Sequence, residues 1–596
     1  MFQQSYLVPQ PAISHNFFTS QTFASPTSSV LRLGRTLTLS LAFGIAFSSA
    51  WSPSSTAASP MTTTTTTTLE ASLPLELLAE TANSFASAHG LQIEKRRDDG
   101  SSIFECAPIS LLPNAYPRAA FRQAQTVAPY FNTLVDRISR DSGFLTDTLG
   151  GAVAQADPFT AQLLRLYQQI YGADENHTDR TFAQRADRLG IHRSDYMLHE
   201  NNAIKQVELN TIASSFGALG AQVARLHQHL VTRWDVATRP FLAQNVQAVT
   251  GQSTSSSTDT SGIEDGVPDN PTLERLPLAM KIALDRFERR HRDDNDNNSM
   301  VGKTSVLFVV QEGESNTVDQ RMLEFRLWQD HKIPVLRRTL TKLGQVARVD
   351  PTTGILYVDD EPISVVYFRA GYAPTDYPDG DAGVEWQARA TLEQSIATKC
   401  PSLGYHLAGT KKVQQELARV QVLERFFPDD AEAVTKMREA FAGLYSLGDD
   451  ASAEDLAAIR AVLDEGAAGR FVLKPQREGG GYNFYGERLA AKLRENVVRD
   501  DANPETMVLD AKLGEYILME RLFPPTQRAV LLRSGRVEGT GDSVSEFGCF
   551  GTIVCDADGT VVHNEYAGFL LRTKFANVDE GGVASGFATL SSPYLC

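Results

Sequence analysis

The residues from Phe471 to Tyr485 set a cation, Lys474, a carboxylate, Glu478, and a carboxamide, Asn483, around three consecutive glycines, Gly479, Gly480 and Gly481. A triple glycine costs backbone entropy on ordering, so a globular chain places one where backbone must pass very close to something. Amides of a glycine loop can face phosphate oxygens, and a lysine adds a point charge. A carboxylate beside them does not suit phosphate alone. It suits phosphate together with Mg²⁺, a hard cation that takes oxygen ligands. The loop therefore reads as a nucleoside-triphosphate and magnesium site, or else as a glycine-rich surface turn between strand and helix.

Other residues could serve the same chemistry. Gln206 to Ile212 alternates polar and apolar residues, so in a strand Glu208 and Asn210 share a face. Two oxygen ligands side by side at a strand end suit Mg²⁺ held jointly with phosphates. The same alternation also fits a half-buried strand with one wet face. Lys411 stands near the start of an expected helix, where amides and ammonium reinforce each other toward an anion, or it is simply a solvated lysine. Glu546 brings a carboxylate to an expected strand. Arg572 and Lys574, at i and i+2, share a strand face ahead of the glycine-rich segment Gly581 to Gly586, which could close over a substrate. The end of Tyr516 to Glu520, running into Arg521 and Leu522, offers backbone acceptors beside apolar side chains for an adenine ring. Glu314 to Asn316 and Arg369 lie just past strand ends, where open α/β sheets bind ligands. Two decoys fail. Gly302, Lys303 and Thr304 lack the upstream glycine of a phosphate loop, with Asn297 in its place, and a strand follows. Asp294, Asp296 and Asn298 start like a calcium loop, but Ser299 holds the turn-glycine position.

The elements that must position these residues follow from periodicity. Helices are expected at 73–89, 119–139 and 158–171, packed as one helical layer, and again at 221–230, 273–289, 319–330 and 384–399. Strands are expected at 305–311, near 333–335, at 365–368 and at 516–520, with a hairpin through Gly354 and Tyr357. Strand–helix–strand alternation suggests a small α/β domain over 301–405. It would lie between an N-terminal part, 69–300, and a nucleotide-binding region, 406–596. Within the N-terminal part, 251–272 and 289–299 read as disordered surface insertions.

Composition narrows the class. The 596 residues carry a net charge of −16, which argues against nucleic acid or an anionic membrane as the main partner. Five cysteines without a CxxC pair fit a reducing compartment and no zinc cluster. Residues 1–68 lack acidic side chains. Arg32 and Arg35 precede the apolar run Leu37 to Phe47, which is too short to span a bilayer. This leader reads as a signal or transit segment, or as dispensable sequence ahead of an alternative start at Met61.

Several long stretches resemble the eukaryotic glutathione synthetase family of the ATP-grasp superfamily. They are Arg193 to Met197, Glu208 to Ile212, Asp319 to Arg321, Val366 to Arg369, Leu407 to Glu416, Phe441 to Leu447, Phe471 to Gly481 and Leu570 to Lys574. The resemblance implies a mixed α/β ATP-grasp fold with an inserted small α/β substrate-binding domain and a helical layer. It also implies a ligase that joins γ-glutamylcysteine to glycine at the expense of ATP, through an acyl phosphate, in a homodimer. By the same resemblance, Glu208, Asn210 and Glu478 look like Mg²⁺ ligands. Lys411, Lys474, Glu478, Gly479, Gly480, Gly481, Asn483, Tyr485, Met519, Glu520, Arg521, Leu522, Glu546 and Lys574 look like the ATP site. Arg193, Ser215, Glu314, Asn316, Gln320, Arg369, Tyr372, Arg572, Val583 and Ala584 look like the peptide and glycine site. Arg193 and Arg572 are the catalytic candidates, placed to stabilise charge on the reacting carboxyl. The chain departs from the family pattern at Ala213, where serine is common, at Ala370, where an acid is usual, at Tyr482 and at Arg521. A ligase with another amine acceptor such as β-alanine, or a non-catalytic relic, are the alternatives. The compartment implied is the cytoplasm, or a plastid or mitochondrion if the leader is a targeting segment.

Overall fold

The structure, a computed structural model, describes residues 73–172, 180–251, 266–291, 303–380, 382–476, 482–500 and 503–596. The leader, most of both expected insertions, Glu478 and Gly479 to Gly481 lie outside the described residues.

The strand Arg188–Leu198 runs through the middle of a 13-stranded mixed sheet. Ile204–Asn210 pairs antiparallel on one side and Arg536–Cys555 antiparallel on the other. Val561–Phe575 then pairs with Arg536–Cys555, also antiparallel. At its start, Arg188 meets Lys399 of the parallel strand Thr398–Cys400. From there Glu361–Phe368, Ser305–Val309 and Val335–Arg338 follow in parallel pairing. The strands of 301–405 are thus continuous with those that end the chain.

Both faces of this sheet are apolar. Val306, Phe308, Val365, Tyr367, Val554 and Leu570 enter one core, while Leu307, Val309, Val366, Phe368, Ile553 and Leu571 enter the other. The alternation is the two-residue period of a strand, and burial on both sides gives continuous apolar runs such as Ser305–Val309. It also corrects the single helical layer. Arg118–Ser139 and Pro158–Tyr171 cover one face, but Leu75–His89 packs its Leu78, Ala82 and Ala86 against the other. Each face needs its own cover, so the helices divide.

Two local expectations also change. The helix expected over 384–399 stops at Gln394, and Thr398–Cys400 is extended because its backbone completes the parallel ladder. Leu340–Val346 is a helix inside the region read only as hairpin. Its cap is Thr339, whose hydroxyl accepts from the Lys342 amide at 3.2 Å.

A second, smaller sheet is antiparallel and four-stranded: Leu444–Tyr445, Tyr516–Glu520, Phe471–Pro475 and Phe484–Tyr485. Helices Ala453–Asp464 and Gly486–Asn496 cover one face over Ile459, Phe471, Leu473, Leu489, Leu493 and Leu518. The other face presents Ala442, Leu444, Val472, Ile517 and Met519, flanked by half-buried Tyr485 and Leu522. Among the described residues, no helix is long and apolar enough to cross a membrane.

Candidate active site

Four adjacent strands of the large sheet bring charged side chains to one place. Register sets Glu208 opposite Asp195 and Asn210 opposite Arg193, and it sets Glu546 opposite Arg572. Carboxylate oxygens of Asp195, Glu208 and Glu546 lie within 4.8 Å of one another. Asp195 is fully buried and takes a two-pronged hold from Arg193, with Nε to Oδ1 at 2.7 Å and Nη2 to Oδ2 at 2.8 Å. Arg572 donates to Asp195 Oδ2 at 2.7 Å and also bonds Glu546. The Asn210 amide donates to Asp195 at 3.0 Å and to Glu208 at 3.2 Å. Lys411 Nζ is 3.5 Å from Glu208, and Lys474 Nζ donates to the Val207 carbonyl at 3.1 Å.

Gly548 stands across the ladder from Asp195. A Cβ there would lie 2.7 Å from Asp195 Oδ1 and 2.8 Å from Arg193 Cδ, so the arginine–aspartate pair occupies the space a side chain would need.

The fields separate the two neighbouring glutamates. Burial pushes the Glu208 carboxyl up, but Lys411, Arg572, Lys474 and Arg193 outweigh it and hold the group well below the usual range. Burial raises Glu546 as well. There Arg572 only partly opposes it, and Asp195 and Glu208 add to the rise. Burial brings Lys474 down to about 8, opposed by Glu208 and helped by Lys411.

The loop after Asn210 is fixed from the parallel side of the sheet. Arg369, buried at the end of Glu361–Phe368, donates to the Ala213 carbonyl at 2.9 Å and the Ser214 carbonyl at 2.7 Å. Ala213 and Phe216 take positive φ angles of 51° and 66° in this turn. Asp319 accepts from the amides of Phe216 at 2.8 Å, Ala218 at 2.9 Å and Leu219 at 3.2 Å, and so caps helix Gly217–Arg233. The Ser215 carbonyl accepts from Arg193 at 3.1 Å. Nearby, Gln320 donates to Glu314 at 3.1 Å and accepts from Arg337 at 2.8 Å. The Asn316 amide bonds Glu314 at 2.8 Å, and the Tyr372 hydroxyl accepts from Gln311 at 3.3 Å.

The third group gathers on the small sheet. The Asn483 amide nitrogen donates to Glu580 at 3.3 Å and its side chain donates at 3.2 Å. The Tyr485 hydroxyl donates to the Asp579 carbonyl at 3.3 Å, and Lys574 bonds the same carbonyl. Arg521 pairs with Asp579 at 2.9 Å and covers the Tyr485 ring at 5.3 Å. Glu520 accepts from the Gly443 amide at 3.0 Å. Val583 is buried against the second core, while Ala584 is exposed.

Sequence reasoning missed Asp195, Asp319, Asp579 and Glu580. For Asp195 a signal existed, because it lies two residues from Arg193 on a strand. For Asp319 the signal was an acid at the first turn of a helix. Nothing local marked the other two.

A buried floor of carboxylates and arginines on a mixed sheet, with lysines reaching in beside a small antiparallel lid, makes a charge-compensated site able to receive anionic groups. Comparison with known proteins narrows this. The family model described as eukaryotic glutathione synthase, ATP binding domain, matches residues 74–595. The tomato protein named glutathione synthetase, chloroplastic, is 36% identical over 532 residues, covering 87% of this chain and 84% of that one. Glutathione synthetases of Xenopus laevis and Homo sapiens are 37% and 36% identical, each covering 87% of this chain and 97% of the relative. A solved glutathione synthetase-like effector from Globodera pallida superposes with a TM-score of 0.61 at 20% identity, over 88% of this chain and 97% of that one, and so supports the fold. The chain belongs to the eukaryotic glutathione synthetase family.

Proposed function

We propose that the floor and the lid together make glutathione. The cysteinyl carboxylate of γ-glutamylcysteine attacks the γ-phosphorus of ATP, the bond to ADP breaks, and an acyl phosphate forms. The amine of glycine then attacks the acyl carbon, phosphate leaves, and the amine gives up a proton. Such a transfer depends mostly on positioning and on offsetting charge. The observation that carries the reading is the convergence of Arg193, Arg572, Lys411 and Lys474 on one cluster of three carboxylates.

In this reading Lys411 and Lys474 meet the phosphates. Arg572 and Arg193 face the reacting carboxyl and offset the charge that builds on it. The Met519 to Leu522 backbone, beside Val472 and Ile517, receives the adenine, and Asn483, Tyr485, Glu546 and Lys574 complete the nucleotide site. Arg369 and Asp319 hold the turn that presents Ser215, while Glu314, Asn316, Gln320 and Tyr372 meet the dipeptide. Closure of the segment that carries Val583 and Ala584 excludes water, so the acyl phosphate is not lost to hydrolysis. By the family resemblance, the small side chains at Val583 and Ala584 favour glycine as the acceptor.

The donor set fits Mg²⁺. Glu208 stays ionised, its oxygens lie close to those of Asp195 and Glu546, and Asn210 adds a carboxamide, all hard oxygen ligands. Glu208, Asn210 and, outside the described residues, Glu478 would hold the ion. When bound, it offsets charge on the phosphate oxygens. Assembly as a homodimer and a cytoplasmic location, with plastid or mitochondrion as the alternative, belong to the same reading.

The test is ADP release by the purified chain with Mg-ATP and γ-glutamylcysteine, comparing glycine, β-alanine and serine. Release that depends on glycine is the expected result. Release with β-alanine instead would change the product, and none from folded protein would overturn the assignment.

A further inference from the structure

Helix Lys411–Ala418 opens with two lysines, and side chains one residue apart point about 100° apart around a helix. Lys411 faces Glu208. Lys412 faces the other way, toward the root of the lid. Its Nζ bonds Gln415 at 2.8 Å and Ser446 at 2.9 Å and forms an ion pair with Asp450. Ser446 and Asp450 lie on the loop that joins the lid strand Leu444–Tyr445 to the lid helix Ala453–Asp464. Just past the C-terminal end of the same helix, Arg419 takes Asp450 Oδ2 at 2.8 Å and its carbonyl at 3.0 Å. Ser446 donates to Asp450 Oδ1 at 2.6 Å, so both carboxylate oxygens are engaged.

The backbone of Lys412 ties down the other end of the lid. Its amide donates to Gln476 Oε1 at 2.8 Å, and the Gln476 amide donates to the Glu515 carbonyl at 2.8 Å. Gln476 is the last described residue before the glycine loop and directly follows the strand that carries Lys474. One residue therefore holds the lid's first loop by its side chain and the approach to the glycine loop by its backbone. Lys412 and Asp450 also line a cavity of about 520 Å³, with Arg419, Gln476, Gly151 and Tyr516, between the lid root and the helices that cover the large sheet.

We propose that Lys412 is a positioning residue for nucleotide binding: it locks the lid, through Ser446 and Asp450, in register with the helix that presents Lys411. Lys412 is 7% exposed and its ammonium meets three partners. Fold stability alone would be served as well by apolar side chains of the same volume, whereas a buried charge with several fixed partners specifies one alignment. The alignment matters because Lys411 and Lys474 must reach the same phosphates.

This rests on the nucleotide site proposed above, and the test separates the two. KM for ATP and for γ-glutamylcysteine, and the rise in Tm on adding Mg-ATP, are measured for Lys411→Ala, Lys412→Met, Asp450→Asn and the double variant Lys412→Met/Asp450→Asn. Lys412→Met and Asp450→Asn should each raise KM for ATP by about tenfold, ~1.4 kcal/mol. KM for γ-glutamylcysteine should stay within about twofold, and the double variant should be no worse than Asp450→Asn alone, since that change already breaks the Lys412 joint along with the Arg419 contact. Asp450→Asn keeps the loop's volume and decides the matter if Lys412→Met does not fold. An unchanged KM for ATP in folded variants, even with a lower Tm, overturns the proposal, as does an equal rise for both substrates. If Lys411→Ala leaves KM for ATP unchanged, the nucleotide site itself is misplaced.

Discussion

The floor and the lid hold their charged groups in opposite ways. In the floor, Asp195 is fully buried, Arg193 and Arg572 are nearly so, and each sits on a strand paired on both sides. In the lid region, Arg521 and Asp579 are a third and a half exposed, and much of the bonding runs to the carbonyl of Asp579 and the carboxylate of Glu580 on an irregular segment. Groups that offset charge in a transition state gain from being fixed before it forms, because no reorganisation is then needed. Groups that admit and release a nucleotide must let go. Weak, partly solvated contacts suit that, each worth roughly 0.2–1 kcal/mol.

The largest effect should therefore come from the floor. Arg572→Ala removes the cation shared by Asp195 and Glu546 and leaves one fully buried and one half-buried carboxylate with less compensation. Turnover measured as ADP release at saturating ATP should fall by about a thousandfold, ~4 kcal/mol of transition-state stabilisation. A fall under tenfold in folded protein would place the charge-offsetting group elsewhere and weaken the contrast between floor and lid.

The scaffold under the floor should also be the acid-sensitive part. His227 is fully buried between the Ser592 hydroxyl at 2.7 Å and the Ser110 carbonyl at 2.8 Å. Burial lowers its pKa to about 4 from an ordinary 6.5, with the Ser110 carbonyl only partly opposing. The folded state thus keeps the ring neutral where the unfolded chain would protonate it. The stability this contributes is fully present above pH 6.5 and is lost as pH falls toward 4, on the order of 3 kcal/mol. Denaturation midpoints from pH 7.5 to 4.5 for the wild type and for His227→Gln check this. The variant should show the shallower loss, and parallel curves would assign the acid sensitivity elsewhere.

What could be read from the sequence follows the same division between local and distant order. The two-residue period that set Glu208 and Asn210 on one face agrees with the observed register, Asp195 to Glu208 and Arg193 to Asn210. Helix Pro158–Tyr171 matches its expected bounds, because an aspartate cap, a proline at the first position and a regular apolar stripe all mark it locally. The meeting of Asp195 with Arg572 depends on strands far apart in the chain, and no local pattern records which strand lies beside which. The division of the helices between two faces was hidden for the same reason. Periodicity shows that a helix has an apolar side but not which side of the sheet it covers. The overrun of the helix at 384–399 is the converse case, where pairing with Glu361–Phe368 outweighed a local preference.

The smallest effect belongs to the lid, and it sharpens the comparison. Arg521 pairs with Asp579 at 2.9 Å and covers the rings of Tyr485 at 5.3 Å and Phe523 at 5.8 Å. Its side chain is 33% exposed and that of Asp579 54%, so water screens the pair and competes for both ends. The backbone contacts do not depend on the guanidinium: the Arg521 amide donates to the Arg470 carbonyl at 2.8 Å whatever side chain it carries. Arg521→Ala should therefore raise KM for ATP by less than about threefold and leave turnover at saturating ATP unchanged, the amount expected from one exposed pair and two ring contacts. The closing segment should be cut faster by protease, since one of its ties to the lid is gone. A loss of turnover as large as that of Arg572→Ala would mean that this edge is as preorganised as the floor, and the two regions would then differ in burial but not in role.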